Sequence, residues 1–107
     1  MSEQKPSSVV ATTTNPTYKL PLDTTLQHAS KLAIVEDKPI MYDYWMSSLE
    51  KKAIIGVRKN GEKLLVKNEE EYTSPISKFY KVETDYIVIT ENSIYIVSAD
   101  IPTRKIS

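Results

Sequence analysis

The sequence predicts a mainly β fold: a small antiparallel β-barrel or curled meander sheet of five or six strands, with one short N-terminal helix and a disordered N-terminal tail. Three observations predict it. The chain closes with two β-forming runs, Tyr86-Ile87-Val88-Ile89 and Ile94-Tyr95-Ile96-Val97, around the polar break Glu91-Asn92. A second pair of runs flanks Asn60-Gly61, and Asn-Gly between apolar runs is a strong short-range hairpin signal. The whole chain holds 2 glycines. That is few for a fold with many tight corners, so a partly open barrel of SH3-like scale fits better than a closed one. An antiparallel sheet packed on the helix is the main alternative.

Branched and aromatic side chains fit a pleated, half-buried surface, which makes both terminal runs strands. Asn92 tolerates the positive φ of a tight hairpin. Neighbouring side chains on a strand point to opposite faces, and here both faces are apolar: Tyr86 and Val88 on one, Ile87 and Ile89 on the other. A sheet with one wet face would alternate apolar with polar residues. The hairpin is therefore covered on both sides, by the rest of the chain or by another molecule.

Residues 1–18 are rich in Ser, Thr and Pro and have little to bury, so they read as a disordered tail. One β-rich domain is predicted over 19–101, and a frayed end over 102–107. In residues 20–35, Thr24 followed by Gln27 resembles a capping box, and Leu22, Leu26, Ala29 and Ala33 form one helical stripe. This predicts a helix over about 24–33, although Leu32-Ala33-Ile34-Val35 also suits a strand. Pro39 ends the helical stretch, because the residue before a proline is pushed out of helical geometry. Residues 40–45 read as a strand and 46–52 as a helical turn or loop. In 53–59, Ala53, Ile55 and Val57 share one face, and Ile54, Gly56 and Arg58 the other. The return strand, 62–67, sets Leu64 and Val66 against Lys63, Leu65 and Lys67. Tyr72 to Ile76 is a loop or edge segment because Pro75 cannot donate to a ladder, and 77–82 leads into the terminal hairpin.

Composition narrows the function classes. Lys plus Arg number 14 and Asp plus Glu 14, which argues against a general nucleic-acid or membrane-surface binder, where basic residues would be in excess. There are no cysteines, so disulfides, thiolate metal sites and thiol nucleophiles are excluded together. The N-terminus lacks the apolar run of a signal sequence, and no stretch approaches the ~20 apolar residues of a spanning helix. The expectation is a soluble intracellular protein without cofactor or metal.

No catalytic constellation can be drawn from the residues. His28 is the single histidine, and no nucleophile or orienting group is implied in its reach. Asp43 among Tyr42, Tyr44 and Trp45 suits a solvated strand position better than a general acid with a raised pKa. Glu69-Glu70-Glu71 lacks the spaced oxygens and turn glycine of a Ca²⁺ loop. The candidate binding residues are Tyr42, Tyr44 and Trp45, whose rings could stack on bases or hold a peptide, with Arg58 and Lys63 supplying positive charge. Core packing competes for the rings, and edge protection for the lysines. These observations favour a non-enzymatic protein-interaction or structural module, acting through a protein partner or self-association. A small nucleic-acid-binding β-domain with an aromatic and basic face is the second choice.

Residues 38–97 resemble small uncharacterised proteins encoded by large nucleocytoplasmic DNA viruses. The resemblance is carried by Lys38-Pro39-Ile40, Asp43-Tyr44-Trp45, Gly56-Val57-Arg58, Gly61-Glu62-Lys63, Glu70-Glu71-Tyr72-Thr73-Ser74 and Glu91-Asn92-Ser93-Ile94-Tyr95. It covers 60 of the 107 residues and omits the tail. It implies no activity and no site residue, only a setting: a protein of the virion or the infected cell, in the host cytoplasm or the particle, acting by assembly or binding.

Overall fold

The terminal hairpin lies at the centre of the fold. The structure, a computed structural model, describes residues 19–106; the tail expected over 1–18 lies outside the described residues, apart from which the chain order is α1 (Asp23–Glu36), β1 (Ile40–Met41), α2 (Trp45–Leu49), β2 (Ile54–Val57), β3 (Lys63–Asn68), β4 (Glu71–Tyr72), β5 (Ile76–Val82), β6 (Asp85–Thr90), β7 (Ile94–Ser98) and β8 (Thr103–Lys105). The strands form two four-stranded sheets, ordered β1-β7-β6-β5 and β4-β3-β2-β8. Pairing is antiparallel except for β1 with β7 and β2 with β8, which are parallel.

Both faces of the β6–β7 hairpin are covered by the chain itself. The register sets Ile87 opposite Ile96 and Ile89 opposite Ile94 on one face. These four pack with Ala29 and Trp45, joined by Leu26, Leu32 and Ala33 of α1. The other face carries Val88 and Val97, with Tyr86 and Tyr95 partly buried beside them. It meets Ile55 and Leu65 of the second sheet and Tyr44, Ala53 and Ile101. The molecule thus has three layers, helix on sheet on sheet, with an apolar seam on each side of the first sheet. Alternation along strands accounts for it: one hairpin with two greasy faces needs two covers.

Several sequence expectations need correction. Among the described residues the sheets do not close into a barrel, and there are eight strands rather than five or six, because the short segments 40–41, 71–72 and 103–105 each pair with a longer strand. The end after Pro102, expected to fray, adds β8 alongside β2, anchored by Ile55 N donating to Pro102 O at 2.9 Å and Ile106 N to Val57 O at 3.0 Å. The described residues hold two helices, not one. Only Ile40 and Met41 of the expected 40–45 strand are extended; Trp45 starts α2, whose Ser48 hydroxyl donates to Trp45 O at 2.6 Å and accepts from Ser98 N at 2.9 Å.

α1 runs longer than the 24–33 expected. It includes Ile34 and Val35, left 80% and 77% exposed on its far side, and ends at Asp37, where φ is 56°. The Thr24 capping box is not used; Leu22 is the N-cap, with no side-chain cap bond. The start of α1 is held from a distance by Asp85, whose Oδ2 accepts from Leu22 N at 2.9 Å and Thr25 Oγ1 at 2.8 Å.

The Asn60-Gly61 hairpin forms as predicted in type, with Gly61 at φ 91°. Arg58 N donates to Glu62 O at 2.8 Å and Gly61 N to Arg58 O at 2.9 Å, so the loop holds three residues with the left-handed one last, a common hairpin form. In the terminal hairpin Asn92 keeps a negative φ, since the non-glycine residues with positive φ are Asp37, Lys51 and Glu83 among those described. The Thr90 hydroxyl closes that turn instead, accepting from Ser93 N at 3.2 Å and donating to Ser93 O at 3.1 Å.

Candidate functional site: the outer face of the second sheet

Alternation along β2 and β3 sends Ala53, Ile55 and Leu65 inward and leaves the intervening residues facing away. The register pairs Ile54 with Val66 and Gly56 with Leu64, Gly56 with Arg104, and Val66 with Tyr72, so these side chains share the outer face. Together they line a groove of about 670 Å³. Its floor is Ile54, Leu64 and Val66, with Ile106 from the C-terminal end. Gly56 lies beneath Ile106: a Cβ there would stand 2.8 Å from Ile106 Cδ1 and 2.9 Å from its Cγ2. The absence of a side chain at Gly56 thus lets Ile106 lie down on the sheet.

The rim is polar and mostly positive. Lys52, Arg58 and Arg104 line the groove, against Glu69 and the 53%-exposed Tyr72. Lys52 pairs with Glu50 at 3.5 Å and Arg58 with Glu62 at 3.6 Å. Such exposed pairs contribute about 0–1 kcal/mol, so a ligand carboxylate or phosphate can replace them at little cost.

The five residues singled out from the sequence fall in different places. Arg58 is on the groove rim. Lys63 lies at the start of β3, its Nζ 5.8 Å from the Phe79 ring centroid. Tyr42 is half exposed in the link before α2. Tyr44 is 3% exposed between the two sheets, edge-on to Tyr95 with centroids 5.3 Å apart and with Lys67 Nζ 4.9 Å from its centroid. Trp45 is 5% exposed under α1, its Nε1 donating to Lys19 O at 2.7 Å. The two rings therefore pack into opposite seams. Sequence reasoning misses Tyr72, Arg104 and Ile106, because only the pairing of β4 and β8 brings them beside β2 and β3; Lys52 lies beside the groove because it just precedes β2.

Burial, with Tyr95, Glu71 and Asp43 nearby, raises the Tyr44 phenol from 10.0 to about 12. Burial, then Asp43, raises Tyr95 as well. The unfolded phenol ionises near 10, so in the window from about pH 10 to 12 the unfolded state sheds a proton that the folded state keeps. The contribution is fully present below pH 10 and lost as pH rises toward 12. Urea midpoints are expected to fall across that window, and Tyr44→Phe should flatten the decline without abolishing it, because Tyr95 also contributes. A wild-type decline identical to that of Tyr44→Phe would refute this placement of the phenol.

Among the described residues, no three His, Cys, Asp or Glu side chains gather in a way that could hold a metal ion, and no helix is long and apolar enough to cross a membrane. Comparison with protein-family models, curated proteins and solved structures finds no match to the chain.

Proposed function

We propose that this chain is a non-enzymatic protein-interaction module, and that it docks a partner surface with an apolar centre and acidic margins on the outer face of the second sheet. The observation that carries this reading is the contrast between the sheets. Both faces of the β6–β7 hairpin are packed by the chain, whereas the second sheet turns Ile54, Val66, Tyr72 and Ile106 into an open groove edged by Lys52, Arg58 and Arg104. Apolar surface rimmed by polar residues is typical of interaction sites. The terminal hairpin, whose greasy faces first suggested docking, is covered within the chain, so the docking surface moves to the other sheet. A setting in a virion or infected cell is supported by the resemblance of residues 38–97.

The three rim cations also support a second reading, phosphate contact with nucleic acid. One experiment separates the two. A photo-crosslinking residue is placed at Tyr72 of the full chain, in extract of the cells that make it. The protein-docking reading expects one discrete protein adduct, lost in the Arg58→Glu/Arg104→Glu double variant and kept in Glu83→Gln. A nucleic-acid adduct that disappears as salt rises would transfer the face to the second reading. Adducts indifferent to the double substitution would remove both.

A further inference from the structure

We propose that the free edge of β5 binds an acidic, extended segment of a partner polypeptide as an added strand. This goes beyond the groove reading and concerns the other sheet. Among the described residues β5 bonds β6 on one side, pairs with no strand on the other, and ends the sheet order β1-β7-β6-β5. It is the longest strand, 7 residues, and Ser77, Lys78, Phe79, Tyr80 and Lys81 are all exposed along it. The other sheet edges are 2 residues each in β1 and β4 and 3 in β8, too short to template a strand. A long open edge offers unpaired main-chain groups to any extended chain.

Charge decides what that chain is. Lys78 and Lys81 are the charged residues of β5, and no acid interrupts it. Two copies set edge to edge would bring four lysines and no carboxylate onto one ribbon, which opposes self-pairing. Lys31 and Lys63 flank the same edge from α1 and β3. Glu36 is already engaged, 3.6 Å from Lys78 Nζ and 4.0 Å from Lys38 Nζ. The complement is an acidic strand.

Shape supplies the apolar half of the recognition. On the helix side, a groove of about 490 Å³ runs between α1 and β5, with Leu32, Val82 and Ile87 in its walls and His28 and Lys31 at its rim. On the opposite side, a hollow of about 360 Å³ lies beside Glu62, Lys63, Ile76 and Phe79, with Glu62 already paired to Arg58 at 3.6 Å. Successive side chains of an added strand point alternately to these two sides. The ladder to β6 slips between Ile76 and Lys78, so the straight part of the edge, Lys78 onward, is where the strand seats.

The test uses the full chain and an end-blocked heptapeptide of alternating glutamate and valine, with binding followed by calorimetry and by backbone amide shifts. Binding tighter than about 1 mM is expected, with shifts centred on β5 and the facing side of α1. N-methylation of alternate peptide amides should weaken it at least tenfold, because main-chain bonds carry the affinity. The Lys31→Glu/Lys81→Glu variant should lose the acidic peptide and gain its lysine counterpart, with an otherwise unchanged spectrum showing that it is folded. No binding at that concentration, equal binding after N-methylation in both frames, or shifts centred on the second sheet's groove would each overturn the proposal. The last outcome would leave the docking reading of the groove standing, so the two fail separately.

Discussion

Replacing Trp45 by alanine is expected to destabilise the domain by about 3–5 kcal/mol, the range for deleting a large buried ring. The indole is 5% exposed and packs with Ala29, Ile87 and Ile96 in the seam beneath α1. Alanine leaves a void there that α1 and the sheet cannot fully close, because interiors are packed to crystalline density. The substitution also removes the 2.7 Å bond from Nε1 to Lys19 O, which pins the chain entering α1. Domains of this size are stable by about 5–15 kcal/mol in total, so the variant should unfold well below the wild-type temperature. Urea titration followed by far-ultraviolet circular dichroism measures the loss, since the chain has 1 tryptophan and its fluorescence goes with it. Trp45→Phe keeps most of the ring and should lose less, about 1–2 kcal/mol, of which the missing hydrogen bond is a large part. A loss under about 1 kcal/mol for Trp45→Ala would mean that the indole is not in the core. The same pair of variants separates packing from recognition: a ring used for stacking on a ligand would change affinity in the folded Trp45→Phe protein, whereas a packed ring changes only how much protein is folded.

Trp45 illustrates what the sequence concealed. Tyr42 and Tyr44 share one face if the segment is a strand, with Trp45 on the other. The chain instead turns at residue 43 and begins α2 at Trp45. The turn separates Tyr42 from Tyr44: Tyr42 stays half exposed, while Tyr44 enters one seam and Trp45 the other. The helical turn read over 46–52 does not say where the strand stops, because α2 is fixed from a distance: Ser48 accepts from Ser98 N, 50 residues away. The same limit applies to β8, whose partner β2 lies on the far side of the chain. What was legible is what short-range chemistry dictates: the period-2 runs of β6 and β7, the two-faced demand for cover, the Asn60-Gly61 hairpin, and the two faces of β2 and β3 that now define core and groove.

Besides its apolar face, the start of α1 is tied to β6 by one carboxylate, and removing it should cost about 3 kcal/mol. Asp85 opens β6 and is 1% exposed. Its Oδ2 accepts from the Leu22 backbone and the Thr25 hydroxyl, while Oδ1 is buried without a partner among the described residues. Hydrogen bonds to a charged group contribute about 1.5–3 kcal/mol each, and the unpaired Oδ1 works against that gain because a buried polar atom without a partner has lost its water. Asp85→Ala removes both terms and leaves the Thr25 hydroxyl and the Leu22 amide as buried or half-buried orphans, which is why the loss exceeds that of an exposed cap. Asp85→Asn keeps one carbonyl oxygen for the two donors and should fall between wild type and alanine. Thr25→Val deletes one donor at nearly constant volume, and in a double-mutant cycle with Asp85→Ala should show a coupling of at least about 1 kcal/mol. Amide exchange in α1 is the second readout. Because Asp85 ties the helix to the turn before β6, its loss should accelerate exchange in the first turns of α1 before it affects β6 and β7, whose two seams remain packed. Strictly additive losses from Asp85→Ala and Thr25→Val, or uniform acceleration across all elements, would show that the helix is held by its apolar face alone, and that this carboxylate is buried without contributing to the join.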